Sequence, residues 1–291
     1  MNKKCPWCGS EKAQIHLWLK DEFLTKEDFQ IYECLDCGLL YTEPRPDKEK
    51  IGQYYKSEEY YSHQENTKGF IPKIYETVKS INLKKKYKIA ANKHEAGKML
   101  DIGCGVGDFI QMMEKKGWDC VGVEPSEQAK SIASKRIKAK MINPEQLAEL
   151  KGEEYHLITM WHVLEHVENL KEEIGQLERL LKKGGKLIVA VPNFKSYDAQ
   201  YYNTHWAAYD VPRHLNHFCK ESIVKIFKKT SLDLIGYDKL IWDAYYISYM
   251  SELYLRHRFP MIKGAFRGLV SNWKARNSGE WSSKVYVFEK K

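Results

Sequence analysis

Two kinds of apolar spacing divide the chain. Before residue 46 polar and apolar positions alternate, in Gln30-Ile-Tyr-Glu-Cys and then in Gly38-Leu-Leu-Tyr-Thr, and this predicts the two strands of a hairpin. Pro44-Arg45-Pro46 ends that unit, because proline cannot continue a strand ladder. Residues 48–93 are rich in Tyr and Lys, with Ile74, Val78 and Ile81 at helical spacing, which predicts a helical connector and lid. From residue 98 short apolar runs alternate with amphipathic stretches. Met99-Leu-Asp ends a strand, 108–116 reads as a helix stopped by Gly117, and Cys120-Val-Gly-Val-Glu is a second strand. Ser126 suits the cap of the next helix, 155–160 is another strand, and 170–183 is a helix with Leu170, Ile174, Leu177 and Leu181 on one face before Gly184. Lys186-Leu-Ile-Val-Ala-Val then reads as a fully buried strand. Strands alternating with helices predict a doubly wound α/β domain with a mostly parallel sheet.

The composition agrees with one such domain and an appendage. The chain has 291 residues, 43% hydrophobic and 30% charged, enough apolar material for a core and too much for wholesale disorder. No apolar run approaches the ~18 residues of a membrane span. Residues 1–8 reach Cys and Trp without the apolar stretch of a signal peptide, so a cytoplasmic protein is expected. The net charge of +8 is unevenly placed. Residues 68–98 hold nine lysines against Glu76 and Glu95, and residues 251–276 hold six Lys or Arg against Glu252. Those two stretches exceed the whole excess, so the remainder is acidic on balance, unlike a protein built to coat a phosphate backbone.

Four of the seven cysteines form the pairs Cys5-Pro-Trp-Cys8 and Cys34-Leu-Asp-Cys37. Each two-residue loop brings two thiolates within reach of one ion, and Gly9 and Gly38 directly after the pairs permit a tight knuckle. In a reducing compartment four thiolates suit a closed tetrahedral structural zinc site in a zinc ribbon. A redox pair and a site that has lost its metal are the other readings, the first lacking a βαβ context. Cys104, Cys120 and Cys219 read as small buried residues.

At the first strand-to-helix turn stands Asp101-Ile-Gly-Cys-Gly-Val-Gly107, a D-x-G-x-G-x-G loop. Gly103, Gly105 and Gly107 let backbone approach a ligand closely, and Glu124 at the end of the next strand is placed to accept hydrogen bonds from ribose hydroxyls. The G-x-G-x-x-G spacing of a dinucleotide-binding dehydrogenase fails at Asp108. The leading acid suits a cofactor carrying an ammonium and no phosphate, since a carboxylate in a phosphate cradle would repel.

The loop and Glu124 resemble the S-adenosylmethionine site of class I methyltransferases. The resemblance continues through Trp161-His-Val-Leu-Glu-His-Val167, Leu180-Leu-Lys-Lys-Gly-Gly-Lys-Leu-Ile-Val-Ala-Val-Pro-Asn193 and Asp210-Val-Pro-Arg-His-Leu-Asn-His-Phe218. The chain is similar to the bacterial small-molecule branch that includes ubiquinone-type O-methyltransferases, and its ribbon is similar to that of zinc-containing sugar methyltransferases. The resemblance implies a Rossmann-like seven-stranded sheet: a zinc ribbon over 1–46, a connector or lid over 47–96, and a methyltransferase domain over 97–291. Its last two strands would cover 233–242 and 284–290, with a helical insertion over 243–283. It further implies that Gly103 and Gly105 contact the methionine end, that Asp101 orients it, that Glu124 binds the ribose, and that Gly107 and Trp161 belong to the same site. Asn143 would lie beside adenine, although Asn-Pro-Glu-Gln is equally a good helix start with Asn143 as cap.

Methyl transfer from a sulfonium is an in-line displacement, so the protein must align an acceptor, exclude water and, for a hydroxyl, remove a proton. His162 and His166 follow the fourth strand, His214 and His217 the fifth, and histidine titrates in the right range for a base. His162, His166 and His214 are the catalytic candidates, with Arg213 a candidate holder of an anionic acceptor group. A packing role for the Glu-His turn competes with this. His162-Val-Leu-Glu-His166 also spells the inverted zinc-protease motif if helical, but it sits at strand four of a cofactor domain. The ubiquinone-type enzymes bind a divalent ion with Glu-x-x-Glu-His at this turn, where this chain has His162 in place of the first Glu. A small-molecule acceptor, such as a sugar or quinone-like hydroxyl, is the leading expectation. Ribosomal or transfer RNA is the first alternative, lacking the Asn/Asp-Pro-Pro-Tyr/Phe loop of base methylation, and a non-catalytic binding protein of the same fold is the second. The tyrosines and arginines of 243–283 would wall an acceptor pocket, touch a membrane surface or form a homodimer contact.

Overall fold

The computed structural model describes residues 4–55, 70–91 and 95–291; the parts of the expected connector or lid at 56–69 and 92–94 lie outside the described residues. The first three strands, β1 (Ala13–Lys20), β2 (Asp28–Cys34) and β3 (Leu40–Glu43), form an antiparallel ribbon. A long helix, Phe70–Ala90, leads to the main sheet. There β4 (Lys98–Ile102), β5 (Asp119–Val123), β6 (Lys140–Ile142), β7 (Tyr155–Trp161) and β8 (Leu181–Pro192) are parallel. After β9 (Asn216–His217), the strands β10 (Leu232–Lys239) and β11 (Ser283–Lys290) complete a seven-stranded sheet of order β10-β11-β8-β7-β4-β5-β6. β11 runs antiparallel to both neighbours. The fold is therefore the expected Rossmann-like methyltransferase sheet.

The central strands are mostly apolar on both faces because both faces are covered. Leu100, Ile158, Leu187 and Val189 pack to one side, and Met99, Leu157, Ile188 and Ala190 to the other. Each fully buried aliphatic side chain contributes about 1.5–3 kcal/mol, so truncating Ile188, wholly buried in β8, to alanine would cost about 2–5 kcal/mol. The helix Leu170–Leu180 is capped by Asn169 Oδ1, which accepts from Glu172 N at 3.3 Å, and buries Leu170, Ile174, Leu177 and Leu180. It ends three residues before the expected 183, because Leu181 pairs with Tyr155 and is claimed by the sheet.

The ribbon does not stand apart. β9, from the segment after β8, adds a fourth strand to it, with Leu40 opposite His217 and Tyr41 opposite Asn216. Cys5, Cys34 and Cys37 belong to the same apolar cluster as Leu100 and Ile158. Two helices, Asp243–Tyr254 and Pro260–Ser278, occupy the stretch between β10 and β11.

Candidate functional site

β4 and β5 end side by side, and their carboxyl ends carry the glycine loop. Gly103 N and Cys104 N both donate to Val123 O, at 2.8 and 3.1 Å, which ties the loop to the neighbouring strand. Glu124 closes it. One carboxylate oxygen accepts from Gly105 N and the other from Ser126 N, each at 2.9 Å. An ionised carboxylate has about four acceptor positions, so two remain for a ligand diol. Gly103, Gly105 and Gly107 all have left-handed backbone, at φ of +68°, +55° and +79°. A Cβ at Gly105 would project into open space, whereas one at Gly103 would collide with the Val163 side chain. Gly105 is thus the position whose missing side chain leaves room for a ligand, and the bareness of Gly103 serves packing.

Asp101 is buried to 1% exposure. Its Oδ1 accepts from Thr159 Oγ1 at 2.5 Å, and Oδ2 has no partner among the described residues. Burial raises its pKa to about 7, against the opposing pull of Thr159 and of the Lys86 ammonium. Lys86 comes from the helix Phe70–Ala90, and its Nζ lies 4.8 Å from the centre of the Trp161 ring. Trp161 is buried, meets Phe109 edge-on at 5.4 Å, and has an unpartnered Nε1 among the described residues. Asn143 N donates to Gln146 Oε1 at 3.0 Å, while its own Oδ1 accepts from Lys130. That is one half of a capping box at the start of the turn Pro144–Glu149, with a lysine in the place of the other half.

The histidines gather after β7 and β8. His166 Nδ1 lies 3.0 Å from Arg213 O and His214 Nδ1 lies 2.8 Å from Ala208 O. A carbonyl only accepts, so both rings carry a proton on Nδ1; Tyr55 OH also lies 3.1 Å from His166 Nδ1, and Asp210 Oδ2 lies 4.0 Å from His214 Nε2. The rings meet edge-on with centroids 4.5 Å apart. Burial, and then the charge of His214, push His166 down to about 4, which keeps it neutral. Glu165 is buried beneath them, and neither of its oxygens has a hydrogen-bond partner among the described residues. The ligand atoms of Glu165, His166 and His214 all lie within 4.8 Å of one another.

His162 departs from expectation. It sits at φ +61° before the single turn Leu164–His166, so His162 and His166 are not on one helical face and the protease reading fails. Its Nε2 lies 2.9 Å from Asp243 Oδ2, and its Nδ1 stands 3.3 Å from Glu165 Oε1 without hydrogen-bond alignment. Burial opposes its charge, but the two carboxylates raise it to about 10. Protonated at neutral pH, it has no lone pair for a base. Arg213 departs too. It is 1% exposed, with Nη2 2.8 Å from Asp21 Oδ1 and 2.7 Å from Asp210 Oδ1, while Nη1 donates to Tyr54 O at 3.1 Å. Its charge is spent holding the ribbon's β1–β2 turn, not an acceptor.

The ribbon reaches the histidines directly. Thr42 Oγ1 donates to His214 O at 2.7 Å and lies 2.9 Å from His217 Nε2. Arg45 donates to Glu168 O, Leu215 O and Asn216 Oδ1. At its far end Cys5 and Cys37 sulfurs lie 3.5 Å apart, as do those of Cys8 and Cys34, and all four come within 4.8 Å of one another. Zinc–sulfur bonds of about 2.3 Å would put tetrahedral sulfurs under 4 Å apart, so the spacing fits. Gly9 N and Gly38 N donate to Cys5 O and Cys34 O, closing the two knuckles. The Cys37 thiol holds Cys5 low, whereas burial first pushes Cys8 up and the Cys5 hydrogen bond raises Cys37.

A family model described as a methyltransferase domain matches residues 76–236, more than half of the chain. The chain belongs to this methyltransferase family. The chain is 32% identical over 111 residues to the ubiquinone biosynthesis O-methyltransferase of Rhizobium rhizogenes, covering 36% of this chain and 44% of that protein. It is 36% identical over 107 residues to uncharacterized protein MJ1123 of Methanocaldococcus jannaschii, covering 36% and 50%. The chain thus spans half or less of these curated relatives. Among solved structures, phosphoethanolamine N-methyltransferase 2 of Haemonchus contortus aligns at TM-score 0.50 and 19% identity over 72% of this chain and 52% of that one. The [4+2]-cyclase SpnF aligns at 0.51 and 13% over 72% and 80%. At such identities the methyltransferase fold alone is shared, and a cyclase on the same fold means that the site must carry any argument about reaction.

Sequence reasoning missed Lys86, Thr159, Asp243, Thr42, Arg45 and Asp21. Lys86 was hidden in the run Lys84-Lys85-Lys86, where nothing local says which lysine turns inward. Asp21, followed by backbone amides of Phe23, Leu24 and Thr25 that donate to it, carried a turn signal but none for its distant arginine.

Proposed function

We propose that the chain is an S-adenosylmethionine-dependent methyltransferase acting on the hydroxyl of a small-molecule acceptor, with a structural zinc in its ribbon. The observation that carries the reading is the pairing at the ends of β4 and β5. A carboxylate with two spare acceptor positions faces a loop whose Gly105 leaves open space, above a buried, half-partnered Asp101. That donor set suits a ribose diol and a cationic amino-acid end, and it offers nothing to a pyrophosphate. Bound there, S-adenosylmethionine supplies an electrophilic methyl on a sulfonium. Glu124 would hold the ribose, Asp101 the charged end, and Trp161 would wall the site.

The acceptor would enter over the histidines, which the sheet topology sets next to the loop at the carboxyl end of β7 and after β8. His166, kept neutral with its proton on Nδ1, offers Nε2 as the atom that can take a hydroxyl proton as the oxygen attacks, and His214 is the second candidate, its ring edge-on against it. His162, pinned as a cation, would neutralise Glu165 and hold that carboxylate in place. Glu165, His166 and His214 also fit a divalent cation, since both rings already donate Nδ1–H to carbonyls and leave Nε2 for a ligand bond; such an ion would lower the pKa of an acceptor hydroxyl. The four cysteines would hold zinc with no open position.

The test is to incubate the purified protein with methyl-labelled S-adenosylmethionine, first alone with its co-purified small molecules and then with ribosomal RNA, and to follow label by mass spectrometry. Label in a small hydroxylated molecule is expected; label in RNA alone would replace the small-molecule reading, and no cofactor turnover with any acceptor would overturn the enzyme reading.

A further inference from the structure

The helices Asp243–Tyr254 and Pro260–Ser278 pack backbone to backbone. A Cβ at Gly264 would come within 2.6 Å of Tyr249 Cα, and one at Gly268 within 2.8 Å of Tyr245 Cα. Gly264, Gly268, Ser271 and Ala275 therefore form the inward face of the second helix, all buried. A period of 3.6 residues then fixes what faces outward. Ile262, Phe266, Leu269 and Trp273 follow at spacings of four, three and four, and are 70, 59, 56 and 62% exposed. Phe259 and Met261 extend the apolar surface at the helix start, 61 and 54% exposed. No packing within the described chain explains so large an apolar stripe on one helix.

The surrounding charge selects its occupant. Arg256, Arg258, Lys263, Lys274 and Arg276 are all exposed, Lys274 with its ammonium 4.0 Å from the Tyr197 ring centre, and the half-buried Arg267 lies 3.8 Å from the Tyr201 ring centre and 5.7 Å from that of Phe266. No acidic residue stands between Leu253 and Gly279. A second copy of this helix laid on the stripe would bring basic flank against basic flank. An anionic bilayer surface complements it: the aromatic and aliphatic side chains enter the headgroup boundary while the arginines and lysines meet lipid phosphates. No described helix is long and apolar enough to cross a membrane, so the contact is one of lying on the surface.

We propose that the helix Pro260–Ser278 docks the protein on an anionic lipid bilayer through Ile262, Phe266, Leu269 and Trp273. The partner helix begins with Asp243, whose carboxylate lies 2.9 Å from His162 Nε2, so the docking helix packs on an element that reaches the histidine turn. This inference does not rest on methyl transfer, and its test needs neither cofactor nor acceptor.

The full chain is floated with vesicles of phosphatidylcholine alone and with vesicles containing phosphatidylglycerol. Binding is expected only with the anionic lipid and should fall with added salt. Phe266→Asp with Trp273→Asp should abolish it at unchanged melting temperature, as both side chains are exposed. Lys263→Gln with Arg276→Gln should weaken it roughly 25-fold, at about fivefold per basic residue. Two results would overturn the proposal: no flotation with either vesicle while sedimentation shows a dimer that Phe266→Asp dissociates, or equal flotation on neutral and anionic vesicles.

Discussion

Asp101 provides a pH signature that no bland surface carboxylate would give. Burial lifts it from 3.8 to about 7, so ionising it inside the free protein costs about 4 kcal/mol more than in water, at 1.36 kcal/mol per unit. Its folded-state pKa lies above its unfolded value. Its contribution to stability is therefore greatest below pH 4, falls as pH rises through about 7, and is constant above. A cationic ligand end at Oδ2 favours the ionised form and reverses that penalty. If only ionised Asp101 binds, the affinity for S-adenosylmethionine should rise about fifteenfold between pH 5.5 and 7.0. The window stops there because a free α-amino group itself titrates near pH 8. In Asp101→Asn the slope should vanish. The variant should match the wild type within a few-fold at pH 5.5 and bind roughly 10- to 150-fold more weakly at pH 7.0, the loss of one charge-assisted hydrogen bond. Calorimetry in two buffers of different ionisation enthalpy would also show proton release on binding near pH 6 in the wild type alone. Parallel pH profiles for wild type and Asp101→Asn would refute the reasoning, because Asp101 would then not exchange its proton for the ligand's charge.

The remaining expectations concern the ribbon and the histidines. Elemental analysis should return one zinc per chain, and Cys34→Ser should lose it and unfold the ribbon before the core, read as early loss of hydrogen-exchange protection in β1 to β3. Asp21→Ala strands the buried Arg213 guanidinium; breaking such a pair costs about 3–5 kcal/mol and should lower the melting temperature by roughly 10 °C, where an unchanged value would show that Asp210 alone suffices. His166→Ala and His214→Ala should each lower turnover on a hydroxyl acceptor by about 100-fold with cofactor affinity unchanged. Wild-type rates in both would make the pair structural.

The main sheet was legible because its periodicities are local. A mostly apolar strand, a turn, then an amphipathic helix is written within about thirty residues, and β4, β5, β7 and β8 stand where that pattern put them. The cysteine knuckles were legible for the same reason, each pair and its glycine being contiguous. What could not be read was long-range. Nothing in Asn216-His217 announces a strand that completes the ribbon's sheet, since a two-residue strand has no period. Arg213 beside His214 looked available because a sequence does not show that Asp21, 192 positions away, already holds it. The three catalytic candidates diverged on the same ground: His162 turned to Asp243 on an element 81 residues later, while His166 and His214 came together. Gly103 and Gly105 looked equivalent in the motif, and only the position of Val163 separates them.

The account stands or falls on a ligand in the space beyond Gly105. The direct measurement is a calorimetric titration of S-adenosylmethionine into the wild type and into Gly105→Val, whose Cβ would project into that space with no atom beyond its chain neighbours within 4 Å, the left-handed φ of +55° making a check of folding part of the test. One binding site per chain in the wild type, with binding lost in a variant that remains folded by circular dichroism, is the result the account predicts. Absence of binding in the folded wild type, or equal affinity in both proteins, would contradict it.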